Sequence, residues 1–144
     1  MQQLAAESGV TFRHYVPHLS ALFDSLDALV CMGGYNTLVE AAALGVPTVC
    51  VPRVAPRTEQ LLRAEAFARL GLLQVCRPEQ LDSPTLRDQI TLALQSSRED
   101  LRARAHRALH FDGAQQAARR MLSLATESAP PARANPRRQQ MAVA

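Results

Sequence analysis

The stretch 28-ALVCMGGYNTLVEAAALGVPTVCVP-52 decides how this chain folds. Ala28–Met32 is a short continuous apolar run of the kind buried on both faces of a parallel sheet. Gly33 and Gly34 follow, and then NTLVEAAAL, a helix that Gly45 closes where a left-handed cap belongs. VPTVCVP, from Val46 to Pro52, is a second buried strand. Strand, glycine turn, helix and strand make a βαβ unit, which joins two parallel strands through a crossover helix.

The pattern continues on both sides. Downstream, PRVAPR is a loop, TEQLLRAEAFARLG is an amphipathic helix capped by Gly71, and LLQVC is a further short strand. Upstream, VTFRHYV (Val10 to Val16) has the β-branched and aromatic content of a strand. HLSALFDSLDA follows, with Leu19, Leu22, Phe23 and Leu26 at helical spacing. Gln2 to Ser8 reads as the last turns of a helix ended by Gly9. No strand signal follows Cys76: SPTLRDQITLALQSS, REDLRARAHRALH and GAQQAARRMLSLA are all helical. The expected fold is α/β, a Rossmann-like parallel sheet of four strands with flanking helices and a helical C-terminal part. Residues 1–125 form the domain, and 126–144 a tail without periodicity and with three prolines, expected to be disordered. A sheet that begins in the tail of a helix and has only four strands leaves an edge to be covered. The chain is therefore expected to be the C-terminal part of a longer protein, or half of a complex.

Composition narrows the function. The chain has 144 residues, 47% of them apolar, and a net charge of +3. Met1–Glu127 contains 13 arginines and 13 acidic residues, so the excess comes from Arg133, Arg137 and Arg138. A neutral folded part lacks the basic stripe that nucleic-acid binding needs. Cys31, Cys50 and Cys76 are odd in number, widely spaced and set in apolar runs, which points to reduced, buried thiols and away from a disulfide framework or a zinc site. No apolar run approaches the length of a membrane span and the N-terminus lacks a signal-peptide pattern, so a cytoplasmic location is expected, with membrane association left to a partner domain.

In open parallel sheets ligands bind beyond the carboxyl ends of the strands, where loops lead into helix N-termini. Met32-Gly33-Gly34-Tyr35-Asn36-Thr37 occupies that position. Glycines let the backbone approach a ligand, free amides at the helix start favour an anion, and Asn36 and Thr37 can either cap the helix or donate to a phosphate. Most such turns merely reverse the chain, so the loop alone leaves both readings open.

The longer segment MGGYNTLVEAAALGVPTVCVPRVAPRTEQLLRAEAFARLGL resembles the donor-nucleotide half of GT-B glycosyltransferases. It is most similar to the family 28 group that includes the undecaprenyl-diphospho-muramoylpentapeptide N-acetylglucosaminyltransferase, and nearest to glycosyltransferases carrying MGGYNT and a PR-x-x-PR-x-EQ loop. The likeness runs from about Val10 to Leu73 and weakens toward Leu124. It implies a nucleotide-diphosphate sugar as substrate, UDP-linked, with no cofactor and no metal. Gly33, Gly34, Asn36 and Thr37 would face the diphosphate, and Glu40 would hold the ribose hydroxyls, since a carboxylate accepts two hydrogen bonds from a cis-diol. Thr37-x-x-Glu40 also reads as a capping box. Glu59 and Gln60 would contact the donor sugar. The group usually has Gln-Gln there, so the acceptor-only Glu59 leaves the sugar open; Thr58-Glu59 also reads as an ordinary helix start. Arg53 and Arg57 would pair with phosphate or with Glu59, and Tyr15 and Val16 would meet the nucleobase. The relatives take their catalytic base from another domain, so no catalytic residue is assigned here, and His14 and His18 are given no role. The implied activity is hexosyl transfer to an acceptor held by an N-terminal domain, in cis or in trans. The alternatives are a non-catalytic nucleotide- or phosphate-binding module, and a phospho-acceptor regulatory domain, which lacks its expected aspartate pair.

Overall fold

A computed structural model describes residues 2–56 and 58–127. Contacts divide the chain after Leu109 into two compact units. The first holds helix α1 (Gln2–Glu7), a 3₁₀ segment (Leu19–Ser25), strand β1 (Leu29–Cys31), helix α2 (Tyr35–Leu44), strand β2 (Thr48–Cys50), helix α3 (Glu59–Arg69), strand β3 (Gln74–Val75), and helices α4 (Ser83–Leu94) and α5 (Arg98–Ala108). The second contains helix α6 (Gly113–Glu127). Helix α6 continues through Thr126 and Glu127, into the span expected to lack structure, because nothing breaks its pattern before the prolines at 130 and 131. The rest of the expected tail, 128–144, lies outside the described residues.

The sheet is parallel, in the order β1-β2-β3, with Leu29, Val30 and Cys31 opposite Thr48, Val49 and Cys50, and Val49 and Cys50 opposite Gln74 and Val75. Consecutive parallel neighbours joined by right-handed crossovers place α2 and α3 on one face. There Leu29 packs with Phe23, Ala41, Val46 and Leu44. Strand alternation sends Val49 to the other face, where it packs with Cys76, Ala93, Leu86 and Ile90 beneath α4. Strand β2 is therefore buried throughout. Helix α4 packs on β2 and β3, and Val30 of the other edge strand, β1, on Val49's face, is 46% exposed.

Two sequence expectations fail in the N-terminal region. VTFRHYV is no strand: the sheet has three strands, and Val10–Val16 lies along the surface with Val10 61% and Tyr15 79% exposed. Strand propensity expresses fit to a half-buried pleated surface, and this segment has no ladder partner among the described residues. The following stretch forms a tighter 3₁₀ segment, ended by the extended Leu26. Arg98 holds it by donating from Nη1 to the Asp24 carbonyl (2.8 Å) and from Nη2 to that of Phe23. Phe23 is completely buried by this arrangement. The expectations for α2, its glycine cap and β2 hold: Gly45 takes φ 67°, and its amide is accepted by the carbonyls of Ala41 and Ala42.

Candidate functional site

The site lies beyond the carboxyl ends of β1 and β2, where two loops lead into the N-termini of α2 and α3. Gly33 has φ 88°, the left-handed region that suits glycine, and a side chain there would meet Cys50 Sγ at 3.0 Å and the Gln60 carbonyl at 3.4 Å. The absence of a Cβ thus lets the glycine loop lie directly against the first turn of α3. Arg63 fastens the contact. Its Nη1 donates to the Gly33 carbonyl (2.9 Å), and its guanidinium sits over the Tyr35 ring, 5.5 Å from the centroid. Sequence reasoning missed Arg63. The available signal was its place one turn beyond Glu59 and Gln60, on the same side of an α-helix.

Helix α2 begins at Tyr35 with Gly34 as its N-cap and without a side-chain cap bond. The first intrahelical bond runs from the Leu38 amide to the Gly34 carbonyl (3.0 Å), so the amides of Tyr35, Asn36 and Thr37 precede the helical ladder. Such an end combines free donors with the positive pole of the helix dipole, the combination that favours an anion. The Thr37–Glu40 capping box is not formed, because Thr37 lies inside the helix and not at its cap. Glu40 is instead an exposed residue one turn past Asn36, on the side opposite the buried Leu38, Ala41 and Ala42. Asn36 is likewise exposed and Thr37 half-buried.

The second loop folds back on itself. Gln60 Oε1 accepts from the Arg53 amide (3.2 Å), and Arg53 Nε donates to the Ala55 carbonyl (2.9 Å). The result is a cleft of about 240 Å³ lined by Arg53, Ala55, Pro56, Glu59 and Gln60. Thr58 stands at the N-cap of α3 without a side-chain cap bond, and Glu59 is in its first turn. Arg57 lies outside the described residues. Three of the residues singled out from sequence, Arg53, Glu59 and Gln60, therefore share one cleft, and Gly33 adjoins it through Gln60. Tyr15 and Val16 sit on the surface segment upstream. No hydrogen bond among the described residues ties them to either loop.

Beneath the loops, the thiols of Cys31 and Cys50 interact across the β1–β2 ladder. The hydrogen bond from Cys50 holds the Cys31 thiol down to about 7, burial opposes this, and the Gly33 amide adds to the lowering. The same bond, with burial, pushes Cys50 up. Among the described residues no group of three His, Cys, Asp or Glu side chains is placed to hold a metal ion, and no helix is long and apolar enough to cross a membrane.

A family model for the glycosyltransferase family 28 C-terminal domain matches residues 1–121. The chain belongs to this family. Among curated relatives of this family 28 domain is a UDP-N-acetylglucosamine--N-acetylmuramyl-(pentapeptide) pyrophosphoryl-undecaprenol N-acetylglucosamine transferase from Mannheimia succiniciproducens. It is 27% identical over 125 residues, which are 87% of this chain and 34% of the relative. A transferase of the same name from Rhodococcus opacus is 30% identical over 124 residues, covering 78% of this chain and 31% of the relative. The chain thus spans about a third of these relatives' length. Among solved structures, the calicheamicin glycosyltransferase CalG4 superposes with a TM-score of 0.68 at 30% identity, over 84% of this chain and 30% of that one. The spinosyn forosaminyltransferase SpnP shares the fold with a TM-score of 0.62. The parallel sheet with flanking helices is thus the one found in GT-B glycosyltransferases.

Proposed function

We propose that this family 28 domain binds the nucleotide-sugar donor of a hexosyltransferase. The observation that carries the reading is the meeting of two loops at the strand ends: the N-terminus of α2, without a side-chain cap, follows Gly33, which lies against Gln60 of the cleft that Arg53 and Glu59 also line. The diphosphate rests on the amides of Gly34 to Thr37 and on the side chains of Asn36 and Thr37. Glu40, free of a capping role, accepts both ribose hydroxyls. The hexose occupies the cleft, where Glu59 accepts from its hydroxyls and the amide nitrogen of Gln60 donates, Gln60 Oε1 being taken by the Arg53 amide. Tyr15 and Val16 border the base, Arg53 pairs with the phosphates, and the same role is assigned to Arg57 from its place in the sequence of this loop. The curated relatives carry UDP-N-acetylglucosamine in their names, which supports a UDP-linked donor.

Transfer then rests on positioning and on fixed charge. As the glycosidic bond breaks, negative charge grows on the departing nucleoside diphosphate, and pre-oriented amides and a guanidinium stabilise it without reorganising. No metal is assigned to this task. The acceptor and the base that deprotonates it belong to a partner domain, supplied in cis or in trans, on the cytoplasmic side of the cell.

Substituting Glu40→Ala tests the reading. We expect UDP affinity to fall by about 1–3 kcal/mol, or roughly 5- to 150-fold, the scale of leaving hydrogen-bond partners unmatched in a bound complex. Calorimetric titration of UDP into the folded variant measures this, with Asp88→Ala on α4 as a control of equal charge change. Unchanged affinity in Glu40→Ala would remove the ribose role.

A further inference from the structure

Two of the three cysteines meet where the glycine loop begins. Cys31 and Cys50 are register partners at the carboxyl ends of β1 and β2, so their side chains leave the ladder on the same face. The neighbouring Cys50 thiol is the main influence that holds the Cys31 thiol down, with the Gly33 backbone adding to it. Cys50 Sγ lies against Gly33 closely enough that a Cβ there would stand 3.0 Å away. All three cysteines are free thiols, but Cys76 packs with Val49 beneath α4, on the opposite face. Cys50 is buried and Cys31 half-buried, so a small oxidant reaches the pair through Cys31.

We infer that Cys31 and Cys50 form an oxidation-sensitive dithiol whose disulfide form remodels the glycine loop. The oxidant is hydrogen peroxide. The Cys31 thiolate attacks one peroxide oxygen, the O–O bond breaks, and the leaving hydroxide takes up a proton to become water, leaving a sulfenic acid on Cys31. Cys50 sulfur then attacks the Cys31 sulfur. The S–O bond breaks, and the Cys50 proton leaves with the hydroxide as a second water. Each sulfur gives up one electron, and the two electrons reduce one peroxide to two waters.

Reorientation of Cys50 gives this bond its effect. A strand spacing of about 4.7–4.9 Å lies inside the Cα separation of about 4.4–6.8 Å that disulfides span, so register partners are within bonding reach. Closing the bond swings Cys50 Sγ toward Cys31 and away from Gly33, against which it packs, while Arg63 holds the Gly33 carbonyl. The bond is reached through the half-buried Cys31, and an accessible disulfide is open to thiol exchange, so the change is reversible.

The test treats the 144-residue chain with hydrogen peroxide and then with dithiothreitol. Cleavage after glutamate separates the two cysteines at Glu40, and mass spectrometry is expected to find a Cys31–Cys50 cross-link with the loss of two hydrogens. Amide exchange over Gly33–Leu38 should change on oxidation and revert on reduction. Cys31→Ser or Cys50→Ser should abolish both effects, and Cys76→Ser should leave them. A further expectation rests on the donor-site reading: oxidation weakens UDP binding by about tenfold or more. If the reduced chain binds no UDP, that reading fails, while the cross-link and exchange measurements still decide the dithiol. Oxidation that stops at sulfinic acid on Cys31, cross-links through Cys76, or produces the Cys31–Cys50 bond without altered loop exchange would overturn it.

Discussion

Gly45→Ala is expected to lower the unfolding free energy by about 2–5 kcal/mol. Two independent costs converge on this position. Gly45 ends α2 at φ 67°, where an L-residue loses about 1–2 kcal/mol. A Cβ there would also run into the Arg98 carbonyl and stand 2.9 Å from Arg102 Cβ and 3.0 Å from the Arg102 amide. The nearest obstacle is backbone in the first turn of α5, not a flexible side-chain end, so relief requires moving the helix. Overpacking of this kind adds about 1–3 kcal/mol. Urea denaturation, with the midpoint shifting at constant slope, measures the loss. A loss below about 0.5 kcal/mol, the range of an ordinary surface substitution, would show that α5 does not rest on the end of α2. Because Arg98 also holds the 3₁₀ segment through the carbonyls of Phe23 and Asp24, displacement of α5 should loosen the cover of β1 as well.

Phe23→Ala should cost about 3–5 kcal/mol. The ring is wholly buried among Ala41 and Val46, with Leu26, Leu29 and Leu44 packed around it. Its loss removes the largest apolar group between α2 and the 3₁₀ segment and leaves a cavity that these branched neighbours fill only in part. Since α2 carries the uncapped end facing the candidate site, this core sets the aim of the glycine loop. The expected result is a lower denaturation midpoint together with faster amide exchange along α2. A cost under 1 kcal/mol would mean that the 3₁₀ segment is a detachable cover. The comparison variant Phe23→Leu, which keeps most of the volume, should recover the greater part of the stability.

The parallel sheet was legible because its signals are local. Apolar runs at Leu29–Cys31 and Thr48–Cys50, glycines at the ends of α2 and α3, and crossovers of ordinary length all agree, and agreement between levels is what specifies a fold. The family relationship was legible for the same reason, since its motif occupies one contiguous loop–helix–strand–loop segment. The Val10–Val16 segment misled because β-branched and aromatic residues say that a strand would fit, not that a neighbouring edge exists to accept it. The tighter winding at Leu19–Ser25 likewise depends on Arg98, more than 70 residues away. Helical spacing of leucines does not record that contact.

By itself, then, the sequence determined the βαβ pattern, the positions of the turns and the residue types at the loops, because propensity, periodicity and turn chemistry act over a few neighbours. Only the tertiary structure decided how those loops are used. It made Gly34 the helix cap and so released Thr37 and Glu40 from a capping box. It committed the side-chain oxygen of Gln60 to the Arg53 amide, brought Arg63 to the Gly33 carbonyl, and set Cys31 beside Cys50. Each of these depends on the register of β1 against β2 and on the seating of α3, and register is fixed by packing across the sheet, not by the order of residues along one strand.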